Sequence, residues 1–477
     1  MGLALVLIPL GIAVIAFALP DNDRRPLLLP LTAFIHLALT LAAIWAPGTP
    51  DPGAWLFLDP PGRVVLLIVS VLFLFVALYG VGYLRARADR DNRVFVACTL
   101  AFVAMMSLVT FARHVGLGWV AVEATTLAGA PLIYFNRNPR SLEATWKYLV
   151  IGSIGIALAL LGSFFLGYAA LSGGQEPSLL YDDLLRNAPS MSRTWLDSAF
   201  VLLLVGYGTK MGLAPMHTWK PDAYGEAPGL AGALMAGGMT SCAFLTLVRT
   251  FHVCEAAGAG AFPSRALIGL GLLSMAIAAA FVIRQRDFKR MLAYSSVEHM
   301  GILAIALGLG GAARFGAFLH LVNNALAKGV MFLSAGNIHR AYGSKSTDDV
   351  AGAMRRLPVS GTLFLLGFLA VTGSPPFGPF VSELWIINSA FGDGAIAVAV
   401  LFLVLMLVVF IGMGSTVLPM VQGTPSEAAG RTTFRDDALT AGPIVGLMLL
   451  VLLLGLALPG PLRALIDDAV AYLEVRP

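Results

Sequence analysis

Charge is scarce in this sequence. Asp, Glu, Lys and Arg make up only 12% of its 477 residues, about half the roughly 25% found in soluble globular chains. Hydrophobic residues reach 58% and mean hydropathy is +0.83, so a soluble globule is excluded. Cysteine is also rare: Cys98, Cys242 and Cys254 are far apart and form no C-x-x-C pair. That spacing excludes an iron–sulfur ligand set and a disulfide framework, and no redox centre, cofactor or metal site is expected in the chain. The apolar run from Gly2 to Leu19 lacks a basic n-region and ends in Pro20-Asp21-Asn22-Asp23, so it reads as a first membrane span and not as a signal peptide. A formal charge of +4, with the basic residues lying between apolar runs, excludes a nucleic-acid surface.

What the sequence does hold is one apolar run after another, many of them near the 18 to 20 residues that cross a hydrocarbon core of about 30 Å. Backbone in lipid must satisfy its own hydrogen bonds, so these runs are helices. They fall near residues 2–19, 27–47, 64–84, 94–112, 115–135, 146–172, 195–215, 228–250, 264–284, 291–310, 314–337, 358–391, 395–420 and 441–460. The expected fold is an all-α polytopic membrane protein of about fourteen transmembrane helices. Of the 31 Lys and Arg, 20 fall on the side of the odd-numbered connections and nine on the other, with Lys210 and Lys328 inside spans. The positive-inside rule puts the rich side in the cytoplasm and both termini on the outer side of the cytoplasmic membrane.

Two spans are interrupted alike. Lys210-Met-Gly-Leu-Ala-Pro215 is one break and Gly373-Ser-Pro375-Pro376-Phe-Gly378 the other, each with a charged residue nearby, Lys210 or Glu383. Proline frees a carbonyl one turn back, and at membrane depth that is tolerable only where protein or water satisfies it. Matched breaks of this kind are where a transporter built from inverted repeats places its ion path. A simple proline kink is the alternative for either break alone.

An ionised side chain at the bilayer centre costs about 2.5 to 3.5 kcal/mol, so each one needs a reason. Glu123, Lys210, His320, Lys328 and Glu383 stand inside otherwise apolar spans. A salt bridge within the bundle is the alternative for any one of them. His320, Asn324 and Lys328 recur every four residues, keeping to one helix face over roughly 12 Å. Burial penalises the charge on a lysine and a nearby carboxylate restores it, so a lysine with a movable glutamate is a proton switch. Glu123 and Lys210 are expected to form such a pair. Weaker candidates are His217, Lys220, Asp222 and Glu226 after the first break, and Glu298 with His299. Both groups read as lying near the cytoplasmic edge, where proton uptake and a solvated helix end explain them equally. Glu143 and Lys147 read as an i, i+4 ion pair, and His36 and His114 as satisfied structural groups.

The segment Lys210-x4-Pro215-x-His217-x-Trp219-x-Pro221-Asp222-Ala223 resembles the signature of the antiporter-like, proton-conducting membrane subunits. That family includes the antiporter-like subunits of complex I, Mrp cation/proton antiporter subunits and the membrane arm of group 4 hydrogenases. Further matches are Asp287-x-Lys289-Arg290-x-Leu292-Ala293-Tyr294-Ser295-Ser296, His320-x7-Lys328-x3-Phe332, and Gly373-x-Pro375-Pro376-Phe377-Gly378-x4-Glu383. The resemblance implies two inverted five-helix repeats, residues 94–250 and 264–420, after an N-terminal region 1–93 and before a last helix and tail, 441–477. It also implies broken helices seven and twelve, and a proton path through Glu123, Lys210, His320, Lys328 and Glu383. Ser241 stands where many members keep a lysine bridging two half-channels, and Asn324 replaces a common histidine. Lys220 and Tyr224 stand where leucine and histidine are usual.

The look is closest to component F of hydrogenase-4-type complexes. It implies a proton-translocating subunit of a redox-driven assembly, partnered by other membrane subunits, by peripheral subunits with iron–sulfur or nickel–iron centres, and by lipid. Three other readings remain open: an Mrp-type Na⁺/H⁺ antiporter subunit, the proton-flux partner of an inorganic-carbon uptake complex, and a membrane scaffold.

Overall fold

The computed structural model describes residues 2–46, 54–176, 178–427 and 432–474. Its fourteen principal helices are α1 (Gly2–Ala18), α2 (Leu28–Trp45), α3 (Pro60–Arg85), α4 (Arg93–Phe111), α5 (Val115–Ile133), α6 (Pro139–Ser172), α7 (Arg193–Met211, resuming as Trp219–Glu226), α8 (Gly229–Ala256), α9 (Ala261–Val282), α10 (Phe288–Leu309), α11 (Gly311–Tyr342), α12 (Pro358–Val371, resuming as Gly378–Gly392), α13 (Ile396–Val421) and α14 (Ala438–Leu456). Eleven are long and apolar enough to cross a bilayer unbroken. The other three are the 17-residue α1 and the two interrupted helices. The chain is a multi-pass membrane protein.

Helix starts follow local chemistry that hydropathy misses. α6 begins seven residues before its apolar run because Asn138 and Ser141 form a reciprocal capping box with Pro139 as the first helical residue. Asp59 caps α3 by accepting from the Gly62 amide at 2.8 Å, and Asp437 caps α14.

The connections sort by face. Among odd-numbered ones, Arg25 donates to Asp91 (3.1 Å) and Asn92 (2.5 Å), Asn136 donates to the Glu226 carbonyl (3.0 Å), and Arg356 donates to the Thr432 carbonyl (2.9 Å). Among even-numbered ones, the Phe57 amide donates to Phe111 (2.8 Å), Tyr181 to Arg113 (3.0 Å), and Arg193 to Gly258 (2.8 Å). An amphipathic helix after α14, Gly460–Glu474, lies on the even face, where Arg314 donates to the Leu473 carbonyl. The groups α4–α8 and α9–α13 therefore start from opposite faces, and their broken members, α7 and α12, run in opposite directions.

α8 and α11 form the centre. Their most apolar stretches are wholly buried, whereas α13 buries 28% of its own. They meet at Gly229, where a β-carbon would lie 2.4 Å from the Phe332 carbonyl oxygen. Close approach through a small residue is the usual device for packing helices in lipid.

Candidate functional site

Lys210 occupies the last turn of the first α7 segment. There the helix is closed by Gly212 at φ +84°, with the Gly212 and Leu213 amides both donating to the Gly208 carbonyl at 2.8 Å. The motif needs a left-handed residue, which glycine adopts freely. A C-terminal turn also favours a cation through the helix dipole. The carbonyls freed by the break are claimed from beyond it: Trp219 Nε1 donates to Thr209 O (2.8 Å) and Lys220 Nζ to Met211 O (2.7 Å). Backbone exposed by the interruption is thus satisfied inside the protein, as a membrane interior requires.

The Lys210 ammonium donates to Thr126 Oγ1 (2.7 Å) and to the Tyr148 hydroxyl (3.0 Å). Thr126 in turn donates to Glu123 Oε2 (3.0 Å), and Ser153 donates to the other carboxylate oxygen (2.9 Å). Glu123 and Lys210 are therefore joined, as the sequence suggested, but through a threonine hydroxyl instead of by direct contact. A hydroxyl that accepts from an ammonium while donating to a carboxylate can pass a proton either way.

The second cluster hangs on α11, from which His320, Asn323, Asn324 and Lys328 all project into the interior. His320 Nε2 lies 2.9 Å from His299 Nδ1 on α10, and its Nδ1 lies 3.0 Å from Ser382 Oγ on α12. Lys328 Nζ donates to Ser295 Oγ on α10 (2.7 Å), and Asn323 donates to the Gly378 carbonyl (2.8 Å). Glu383 follows Ser382 and is buried against Gly373, the φ +66° residue that opens the second break. A β-carbon at 373 would lie 2.0 Å from Glu383 Oε2. Neither Glu383 oxygen, nor Asn324 Nδ2 or Oδ1, has a hydrogen-bond partner among the described residues. Burying a polar group unpaired costs about 1 to 3 kcal/mol or more, so each such group in a core calls for an explanation. His299, His320 and Glu383 bring ligand atoms within 4.8 Å of one another. Two imidazoles and a carboxylate are a set that zinc uses, but both His320 nitrogens are already engaged, in a hydrogen-bonded row His299–His320–Ser382 beside which Glu383 lies.

Several placements differ from the sequence reading. Glu298 and His299 lie in the middle of α10 and are buried, not at a solvated end. Lys220 is wholly buried too. Lys220 resembles a helix-end residue in the sequence because it follows a break, and Glu298 and His299 because a polar, basic stretch opens their span. Asp222 does sit at the edge, held by Lys147 (2.7 Å) and Arg290 (2.5 Å), with Glu143 on Lys147 (2.6 Å). His217 is mostly buried beside the Tyr294 ring. Pro215 and the Pro375-Pro376 pair lie in the two interruptions, each with one cis peptide bond. Ser241 is buried with its hydroxyl spent on the Gly237 carbonyl of its own helix (2.5 Å). His36 bonds Ser107 (2.7 Å) and Ser70 (2.8 Å), and His114 caps α5, so both are satisfied structural groups.

Thr126, Tyr148, Ser153, Ser295 and Ser382 complete the two clusters, yet the sequence marked none of them as a candidate for the path, Ser295 entering only within a matched motif. A hydroxyl can bond its own helix backbone, so it enters a membrane helix at little cost and leaves no hydropathy signal.

Residues 112–411, which contain every one of these groups, match the family described as NADH:quinone oxidoreductase/Mrp antiporter, TM. The chain is 32% identical over 389 residues to the hydrogenase-4 component F homolog of Methylacidiphilum infernorum (isolate V4), covering 80% of this chain and 81% of that protein. It is 32% identical over 363 residues to NADH-quinone oxidoreductase subunit N of Desulforudis audaxviator (strain MP104C), covering 75% and 71% respectively. Among solved structures, a chain of respiratory complex I from Thermus thermophilus with bound aureothin superposes with a TM-score of 0.77 and 28% identity, over 96% of this chain and 97% of that one.

Proposed function

We propose a proton-conducting role from a firm premise: this chain belongs to the NADH:quinone oxidoreductase/Mrp antiporter transmembrane family and is an antiporter-like membrane subunit. Protons move along Glu123, Lys210, Lys328, His320 and Glu383; the Thr126 hydroxyl joins the first two, His320 is bonded to His299 and Ser382, and Lys328 to Ser295. The observation that carries this reading is the chain Ser153–Glu123–Thr126–Lys210–Tyr148, a half-buried acid and a buried base held apart by one buried hydroxyl. A fixed ion pair needs no such spacer. The spacer allows the proton to sit on either side.

The relatives' names describe one as a component homolog and the other as a subunit, each of a larger assembly. On that pattern this chain works beside other membrane subunits, and peripheral redox subunits with iron–sulfur or nickel–iron centres supply the driving reaction of a hydrogenase-4-like or complex I-like assembly. The gathering of Arg87, Arg90, Arg140, Arg286, Arg290 and Lys345 around one open cavity of about 910 Å³ supports a cytoplasmic odd face and outward termini. Sodium–proton exchange is the second reading, since the family description itself names the Mrp antiporter.

Gentle solubilisation, identification of the co-purifying subunits and their metals, and reconstitution into vesicles test both. Proton uptake driven by a redox substrate and indifferent to sodium is the expected result. A metal-free chain whose flux needs sodium would establish the exchanger instead.

A further inference from the structure

The two buried clusters need a connection, and the position where a bridging lysine would be expected holds Ser241. Its hydroxyl is turned back onto Gly237, so it offers nothing that titrates. We infer that Lys220 bridges the two half-paths in this protein, carrying a proton between Lys210 and Lys328; the inference rests on the proton-conducting reading above.

Lys220 lies just beyond the first break, in the Trp219–Glu226 segment of α7, and is fully buried. Its ammonium donates to Met211 O at 2.7 Å and reaches Ser296 O at 3.5 Å. Met211 is the residue next to Lys210. Ser296 is the residue next to Ser295, which receives the Lys328 ammonium at 2.7 Å. One side chain therefore spans from the backbone beside the first lysine to the backbone beside the partner of the second.

The surroundings are shaped for it. Gly212 lies against the lysine stem, and a β-carbon there would fall 2.6 to 2.7 Å from Lys220 Cδ, Cε and Nζ. Tyr224 contributes a ring 5.7 Å from the ammonium, and that ring meets Phe332 of α11 edge-on at 5.4 Å. The sequence departs from the family look at 220, 224 and 241 together. In the structure Lys220 reaches in from α7, whereas the Ser241 hydroxyl on α8 bonds only its own helix.

In the transfer step Lys210 loses a proton and becomes an amine while Lys220 gains it and becomes an ammonium. Lys220 then yields a proton towards Lys328, and each loss is matched by a gain in either direction of flux. Buried like charges repel strongly at low dielectric, so a proton on one lysine opposes a second on its neighbour. That coupling makes three lysines in series a relay.

A purely structural role for Lys220, capping the Met211 carbonyl, is separable by choice of substitution. Lys220→Gln keeps a donor for that carbonyl but cannot carry a proton, and Lys220→Arg keeps the charge but does not release one. The experiment measures redox-driven proton flux of the intact complex in liposomes, alongside thermal unfolding and subunit content. The expected result is that both variants assemble and unfold like the parent, yet conduct at least tenfold more slowly. Adding Ser241→Lys to Lys220→Gln restores most of the flux. Parental flux in either single variant overturns the inference, and so does failure of Ser241→Lys to restore any. A parent complex that oxidises its substrate without moving protons would instead defeat the proton-conducting reading, together with the bridge that rests on it.

Discussion

Replacing Thr126 with valine tests the first half-path with almost no change of shape. The wild-type hydroxyl is buried, accepts from Lys210 at 2.7 Å and donates to Glu123 at 3.0 Å. Valine fills the same volume, so no cavity opens. It leaves the ammonium with Tyr148 alone and the carboxylate with Ser153 alone. A hydrogen bond to a charged group contributes about 1.5 to 3 kcal/mol, and each 1.4 kcal/mol added to a barrier slows a step about tenfold. Proton flux should therefore fall about ten- to a hundredfold in Thr126→Val, with subunit composition unchanged. Thr126→Ser keeps the hydroxyl and should retain flux within about twofold. The assay is dye-reported acidification of liposomes holding the whole complex, normalised to substrate turnover. If Thr126→Val pumps at the parental rate in an assembled complex, the hydroxyl bridge between Glu123 and Lys210 carries no proton and that part of the path is wrong.

Other substitutions separate scaffold from path. Arg249 is buried, meets Asp59 at 2.8 and 2.9 Å, and also donates to the carbonyls of Val109, Thr110 and Ala112 at the end of α4. Asp59→Asn leaves that guanidinium without its counter-ion and should cost about 3 to 5 kcal/mol, seen as a lowered unfolding temperature in detergent with normal flux per assembled complex. His36→Leu unties α2 from α3 and α4 and should cost about 1 to 3 kcal/mol, again without changing flux; a selective loss of pumping would show that His36 belongs to a path. Gly206→Leu drives a side chain into α6, because even a β-carbon there would lie 2.6 Å from Gly155 O; assembled protein should be lost, and normal yield would contradict the packing. Glu383→Gln should slow flux tenfold or more while leaving unfolding unchanged, since neither carboxylate oxygen makes a hydrogen bond among the described residues that the change could break.

Composition and apolar patterning alone determined that this is a polytopic helical membrane protein, which stretches form its spans, and that two of them are broken. The reason is that lipid permits few answers: an apolar run of sufficient length has to be a helix, and a charge within it has to be functional or paired. Glu123, Lys210, His320, Lys328 and Glu383 were legible for the same reason. What only the tertiary structure decided is which of them meet and through what. Thr126, Ser295 and Ser382 are inexpensive in a membrane helix and so leave no trace in hydropathy, yet each becomes a link once helices distant in sequence pack together. Lys220 and the pair Glu298–His299 resembled residues at solvated helix ends until packing showed them buried. A break in a helix looks locally like its end, and only the helices around it decide whether water or protein lies beyond.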